Sequence, residues 1–270
     1  MISYGEFARS AADSEKPELW NKLAGAWIPS LGCTGSRLFD LSGRNNHGTG
    51  VGGPTWTTNK LGPTMVFNGS SQYVNVGTLG NFGSLLGYGL TIECWIKSSV
   101  TNTNMCLFGT QKDSASKMSL SLRVNSGEYS GSVSAGGMRF VFTDNFPRLL
   151  ISYVSSNTGI TNGNAHHLAV RVSPSSNTIE IYLDGNPLSV VNSYAQTPAT
   201  FESYSQPLYF GAMNLYGTAS QFFNGQISCA RLWNRVLSPS QIRELYTDPL
   251  GMFRIRSDIN NINNNFLQMF

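Results

Sequence analysis

The sequence predicts an all-β protein, an antiparallel β-sandwich, and three observations carry that expectation. Charged residues make up only 12% of the 270, against roughly 25% in an ordinary soluble domain. Gly, Ser, Thr and Asn together supply about two fifths of the chain, yet 40% is hydrophobic and 11% aromatic. A disordered chain would be poor in aromatics, and a helical bundle would be dense in Ala, Glu, Lys and Leu. Finally, apolar and polar residues alternate with period two in about a dozen short runs, with turn signals every 8–12 residues or so, the spacing of a sandwich.

The elements follow in chain order. The first 25 residues read as an arm with one short helix. Ser14 can cap it, Pro17 suits its first turn, Leu19, Trp20 and Leu23 share a face, and Gly25 ends it. Strands then run through TMVFNG and QYVNV, joined at Gly69-Ser70-Ser71, and through LTIECWIKS, where Ile92, Cys94 and Ile96 alternate with Glu93, Trp95 and Lys97. NMCLFGT, KMSLSLRV, MRFVFT and LLISYV continue the pattern. HHLAVRVS and NTIEIYLDG flank a Ser-Pro-Ser-Ser turn, and Asp184-Gly185-Asn186 signals a tight hairpin. PLYFGAM and GQISCARLW close the body. In LSPSQIRELY a second helix opens on Ser238 as N-cap, Pro239 at N1 and Gln241 where a capping box needs it, with Ile242, Leu245 and Tyr246 as its apolar stripe.

Composition also excludes function classes. The net charge is +3 and the 18 basic residues are scattered, so no stripe suits nucleic acid or an anionic membrane. No apolar stretch approaches the roughly 18 residues of a spanning helix. The N-terminus lacks an apolar core like that of a secretory signal, so the protein is expected to stay in the producing cell until lysis or to leave by assembly. Cys33, Cys94, Cys106 and Cys229 show no CxxC spacing, so they are expected as buried free thiols, with Cys94 and Cys229 as possible core neighbours.

Five segments in order resemble the laminin-G-like jelly rolls of the concanavalin A-like lectin and glucanase superfamily: FDLSGRNNHGT, MVFNGSSQYVNV, LTIECWIKS, HHLAVRVSPSSNTIEIYLDGNPL and FNGQISCARLWNRVLSPSQIRELY. The resemblance implies an antiparallel two-sheet jelly-roll β-sandwich over residues 26–247, with short N- and C-terminal helices and extended terminal arms at 1–25 and 248–270. Gly69, Gly185 and Gly225 would free the backbone at turns. Trp95 and Trp233 would fill the space between the sheets or cover one sheet face.

Fold alone leaves function open, so the sites decide. Glycoside hydrolysis needs two carboxylates about the scissile bond, and Glu93 and Glu180 each stand alone on a strand. Ser132-Val-Ser134-Ala-Gly136 lacks the first glycine of a nucleophile elbow. Gly48, Gly50 and Gly53 fit a dinucleotide fingerprint only formally, since Pro54 follows and no helix does. His47, His166 and His167 form no ligand pair on a helix. Neither a catalytic site nor a cofactor is therefore expected. The resemblance makes calcium the one metal to weigh, with Asp40 and Asn68 as candidates. The turn carries Asn68, Ser70, Ser71 and Gln72 where relatives carry acids, so the charge to hold the ion is mostly missing. Sugar binding would use aromatics in or near loops: Trp56, Tyr153, Tyr204, Tyr216, Phe222 and Phe223, the alternative being packing at the rim.

The arms are the least expected feature. The C-terminal stretch sets Met252, Phe253, Ile255, Ile259, Ile262, Phe266, Leu267, Met269 and Phe270 as apolar anchors among asparagines, and with Leu19 and Trp20 these are expected to contact another protein. The opening and the LYTDPLGMF segment are similar to laminin-G-like proteins displayed on bacteriophage. That resemblance implies a non-enzymatic virion surface protein, a capsid decoration or head-fibre subunit docking on a major capsid or other virion protein, as a homo-oligomer such as a trimer. The alternative is a lectin-like adhesin that binds carbohydrate through its loops.

Overall fold

The computed structural model describes residues 7–79, 89–111, 119–126, 133–143, 149–154, 157–173, 176, 178–195 and 206–256. Alternating apolar side chains build two sheets that face each other. The eight-stranded sheet runs Asn186–Pro187, Thr178–Leu183, Ala165–Ser173, Leu90–Lys97, Asn224–Trp233, Gly62–Asn68 and Thr55–Asn59, with Leu23–Trp27 also paired to Asn224–Trp233. The twelve-stranded sheet runs Val191–Ala195, Leu149–Val154, Val133–Thr143, Ser119–Ser126, Met105–Gln111, Tyr209–Phe210, Tyr73–Asn75, Gly48–Val51, Arg37–Leu38 and Cys33–Thr34. Its remaining two strands, Met213–Leu215 and Thr218–Ser220, form a hairpin against Met105–Gln111.

Period two puts Ile92, Cys94, Ile96, Leu168, Val170 and Leu232 of one sheet against Leu120, Leu122, Met138, Phe140, Phe142 and Phe210 of the other. TMVFNG and QYVNV, consecutive in sequence, lie in different sheets, so the Gly69 turn is an arch between layers. Asp184 and Gly185 both take positive φ, +51° and +75°, in the hairpin that pairs Leu183 with Asn186, as a type I′ turn requires.

A second apolar cluster covers the outer face of the eight-stranded sheet. Leu19, Leu23, Trp233, Leu237, Ile242, Leu245, Met252 and Phe253 meet there. The helix Pro239–Thr247 has the expected capping box, with Ser238 Oγ accepting from the Gln241 N–H and the Gln241 side chain from the Ser238 N–H. The N-terminal helix is only one turn, Pro17–Trp20. Ser14 does not cap it: its hydroxyl donates to the Met252 carbonyl at 2.7 Å, and the expected continuation through Leu23 is a strand. Tertiary pairing along Asn224–Trp233 overrides the helical spacing there.

The arms are therefore integral to the body where the structure describes them. Leu19, Met252 and Phe253, expected as contacts for another protein, are 0–1% exposed inside the chain's own second core. Trp20 stacks edge-on against Phe253 and its indole N–H donates to the Met252 carbonyl. Ile255 is half-buried and bridges to Ser14. The partner reading fails for these residues because intramolecular burial of the same apolar surface needs no second molecule. Ile259, Ile262, Phe266, Leu267, Met269 and Phe270 lie outside the described residues. No helix among the described residues is long and apolar enough to cross a membrane.

Candidate functional site

The two outer faces differ in kind. On the eight-stranded sheet, Thr91, Glu93 and Trp95 point outward beneath the helix Pro239–Thr247. Trp95 stacks on Tyr246 at 5.7 Å and 10°. Glu93, fully buried, is flanked by His167, whose Nε2 lies 2.7 Å from Oε2, and by Arg231, which donates to Oε1. Burial pushes the Glu93 carboxyl up, but the Arg231 charge and the His167 hydrogen bond outweigh it and hold the group below its ordinary value. Glu93 is thus no exposed catalytic acid but part of a sealed polar cluster. Its partners come from strands distant in sequence, so only sheet register could reveal them.

The outer face of the twelve-stranded sheet is different. Ser121 and Arg123 are two residues apart on one strand, and Arg139 lies directly opposite Arg123 on the next. All three are buried, each arginine 6% exposed. Among the described residues, Ser121 Oγ, Arg123 Nε and Nη1, and Arg139 Nε have no hydrogen-bond partner. The Arg123 Nη2 approaches Met213 Sδ at 4.0 Å. Met213 is brought there by its hairpin, which folds over Gly109: a Cβ on Gly109 would lie 2.5 Å from Met213 Sδ and 2.9 Å from its Cα. Burial and the neighbouring Arg123 charge push the Arg139 guanidinium down to about 10. Cys106 lies opposite Arg123 on the adjacent strand Met105–Gln111, and its burial, against the Arg123 charge, pushes the thiol up to about 12.

Aromatic residues border this face. Tyr73 and Tyr209 stand 4.5 Å apart, and Phe222 is 6.4 Å from Tyr73. Tyr216 is 44% exposed at the tip of the Met213–Ser220 hairpin, and its hydroxyl accepts from Gln111 at 3.0 Å. Tyr153 occupies the register position opposite Arg139. Trp56 is elsewhere, on the edge strand of the other sheet, half-buried against the core with its N–H donating to the Gly35 carbonyl. Phe223 is fully buried in the inter-sheet core, and Tyr204 lies outside the described residues. The structure thus pairs two arginines that composition and motif left unremarked; the signal available was Arg123 and Arg139 each lying mid-strand between apolar neighbours.

The calcium candidates serve their own turns. Asp40 Oδ1 accepts from the Ala26 and Ser42 N–H groups, and Oδ2 from Ser42 Oγ and the Asn46 N–H. Asn68 Oδ1 accepts from Ser70, Ser71 and Gln72, an Asx-type turn. Among the described residues no three His, Cys, Asp or Glu gather as a metal would need. All four cysteines are free, and Cys94 and Cys229, on adjacent strands, belong to opposite faces of the sheet, one in each core cluster.

Comparison with known proteins fits this architecture. Domain 4 of an extracellular arabinanase from Geobacillus stearothermophilus, solved in complex with arabinotriose, is 20% identical and superposes with a TM-score of 0.59 over 83% of this chain and 98% of that one. A botulinum neurotoxin type C structure, described as dependent upon two ganglioside molecules for cell entry, is 12% identical, with a TM-score of 0.64 over 86% and 53%. The binding domain of Paraclostridial Mosquitocidal Protein 1 is 15% identical, with a TM-score of 0.58 over 84% and 52%. The chain spans about half the length of these two toxin structures. Likeness at such identity speaks to fold alone. No curated protein sequence matches the chain. A family model described as concanavalin A-like lectin/glucanases superfamily matches residues 68–243, well over half of the sequence. With its two facing sheets and closing strand and helix, the chain belongs to this laminin-G-like family of the concanavalin A-like lectin/glucanases superfamily.

Proposed function

We propose that the protein is a non-catalytic, lectin-like module that binds carbohydrate on the outer face of its twelve-stranded sheet. One observation carries the reading: Ser121, Arg123 and Arg139 hold buried polar atoms on that face with no partner among the described residues. Buried polar groups without partners are rare in folded proteins, and a ligand rich in hydroxyl and carbonyl oxygens would supply the missing partners. Carbohydrate and glycolipid named with the arabinanase domain and the type C toxin support the same class of ligand.

Absence of catalysis is supported by the isolation of Glu93, whose two oxygens are held by His167 and Arg231 beneath a helix. Display on a virion surface is a proposed setting rather than a feature of the site. With Leu19, Met252 and Phe253 used within the fold, docking on a capsid protein would fall to Ile259, Ile262, Phe266, Leu267 and Phe270.

The test is a glycan array probed with the purified full chain, once with calcium and once with a chelator. Saturable binding to at least one glycan class, indifferent to calcium, is expected. Failure to bind any class in either condition overturns the reading.

A further inference from the structure

The buried and half-buried arginines differ in how their charge is met. Arg231 has Glu93, Arg171 has Glu180, and Arg254 has both Asp248 and Glu15. Arg123 and Arg139 are each more than nine-tenths buried and directly opposed across two strands, and among the described residues neither has a carboxylate. Like charges placed opposite each other in a sheet repel, and a buried guanidinium without an acceptor lacks the hydrogen bonds that water would give it. Here a methionine sulfur faces Arg123, while Nε and Nη1 of Arg123 and Nε of Arg139 find nothing.

We propose that Arg123 and Arg139 form a subsite for one carboxylate of an acidic sugar, a uronic or sialic acid residue of the bound glycan. The proposal rests on the carbohydrate-binding reading above and names the sugar class it selects. A guanidinium is a planar fork of donors that matches a carboxylate, and two of them side by side are complementary to a single oxyanion lodged between. The depressed Arg139 guanidinium is what an unmet positive charge in such a place produces. A nucleic-acid backbone does not fit, because it needs a track of basic residues rather than one enclosed pair.

Isothermal titration of the full chain tests this. The probes are oligosaccharides ending in glucuronic acid or N-acetylneuraminic acid, neutral counterparts ending in glucose or galactose, and a sugar bearing a sulfate ester. Each is repeated with Arg139→Gln and with Arg139→Lys, which keeps the charge and loses the fork. The carboxylated sugars should bind at least about tenfold more tightly than the neutral ones, the scale of one charge-assisted contact. Arg139→Gln should erase that advantage, weakening the acidic sugars far more than the neutral ones, with Arg139→Lys intermediate. Should Arg139→Gln fail to fold, Arg139→Lys alone decides, by a partial loss that is larger for the acidic sugars than for the neutral ones. Equal binding of acidic and neutral sugars, or an acidic preference that neither variant alters, overturns the subsite while leaving carbohydrate binding intact. Preference for the sulfate ester overturns the assignment to a carboxylate. Binding of no sugar overturns the subsite together with the reading it rests on.

Discussion

His167 Nε2 lies 2.7 Å from the Oε2 of Glu93, on the neighbouring strand two residues along in register, with both side chains fully buried under the C-terminal helix. Arg231 closes on the other carboxylate oxygen from the opposite strand. An ionised carboxylate is held there by its partners, so removing any one leaves the others buried without a counterpart.

Acid should therefore unfold the protein partly through Glu93. Its folded-state value lies below the ordinary 4.5. Its contribution is complete above the unfolded value and is lost as the pH falls through the folded one. Urea titrations should show stability declining from about pH 4.5 downward. Glu93→Gln should lower stability at pH 7 by about 3–5 kcal/mol and flatten that acid limb; an unchanged limb would show that the cluster does not govern it.

The terminal segments should matter for folding. Phe253→Ala removes a fully buried ring and is expected to cost about 3–5 kcal/mol in chemical denaturation. A chain ending at Arg256 keeps the Trp20, Met252 and Phe253 contacts, whereas one ending at Leu250 loses them. The second should melt well below the first, and equal midpoints would contradict the packing described.

Asp40 should act as a turn organiser. Asp40→Asn puts an amide donor where backbone and hydroxyl donors already converge, which should cost about 1–3 kcal/mol. Calcium or a chelator should leave the melting temperature of the unaltered chain in place; a rise with calcium would restore the metal reading.

Arg139→Met should raise the urea midpoint. Even a buried ion pair is often replaced by apolar side chains of similar volume with a neutral effect or a gain of about 1–4 kcal/mol, and Arg139 has no carboxylate among the described residues to lose. A clear loss of stability would mean that the guanidinium has partners within the fold, and the case for a ligand would weaken with it.

Legibility was uneven for physical reasons. The capping box at Ser238 and the Asp184-Gly185 turn were readable because each is local chemistry spanning a few residues. The helix proposed from Ser14 was misjudged in length because Leu23–Trp27 takes its conformation from pairing with Ala230–Trp233. Apolar anchors read as a docking arm proved internal for Met252 and Phe253, since a sequence shows that a residue wants burial but not where. Among the aromatic candidates, Trp56 packs against the core from an edge strand while Tyr153 takes the register position opposite Arg139, a distinction set by strand order.

The sequence by itself determined the class of fold, the family and the local turns and caps, because period-two patterning and turn chemistry act between near neighbours. Tertiary structure alone decided which face each strand residue occupies relative to distant strands. That placement gave Glu93 two partners and left Arg123 facing Arg139 with no carboxylate among the described residues, since cross-strand register joins residues the chain separates by 16 positions in one case and by 138 in another.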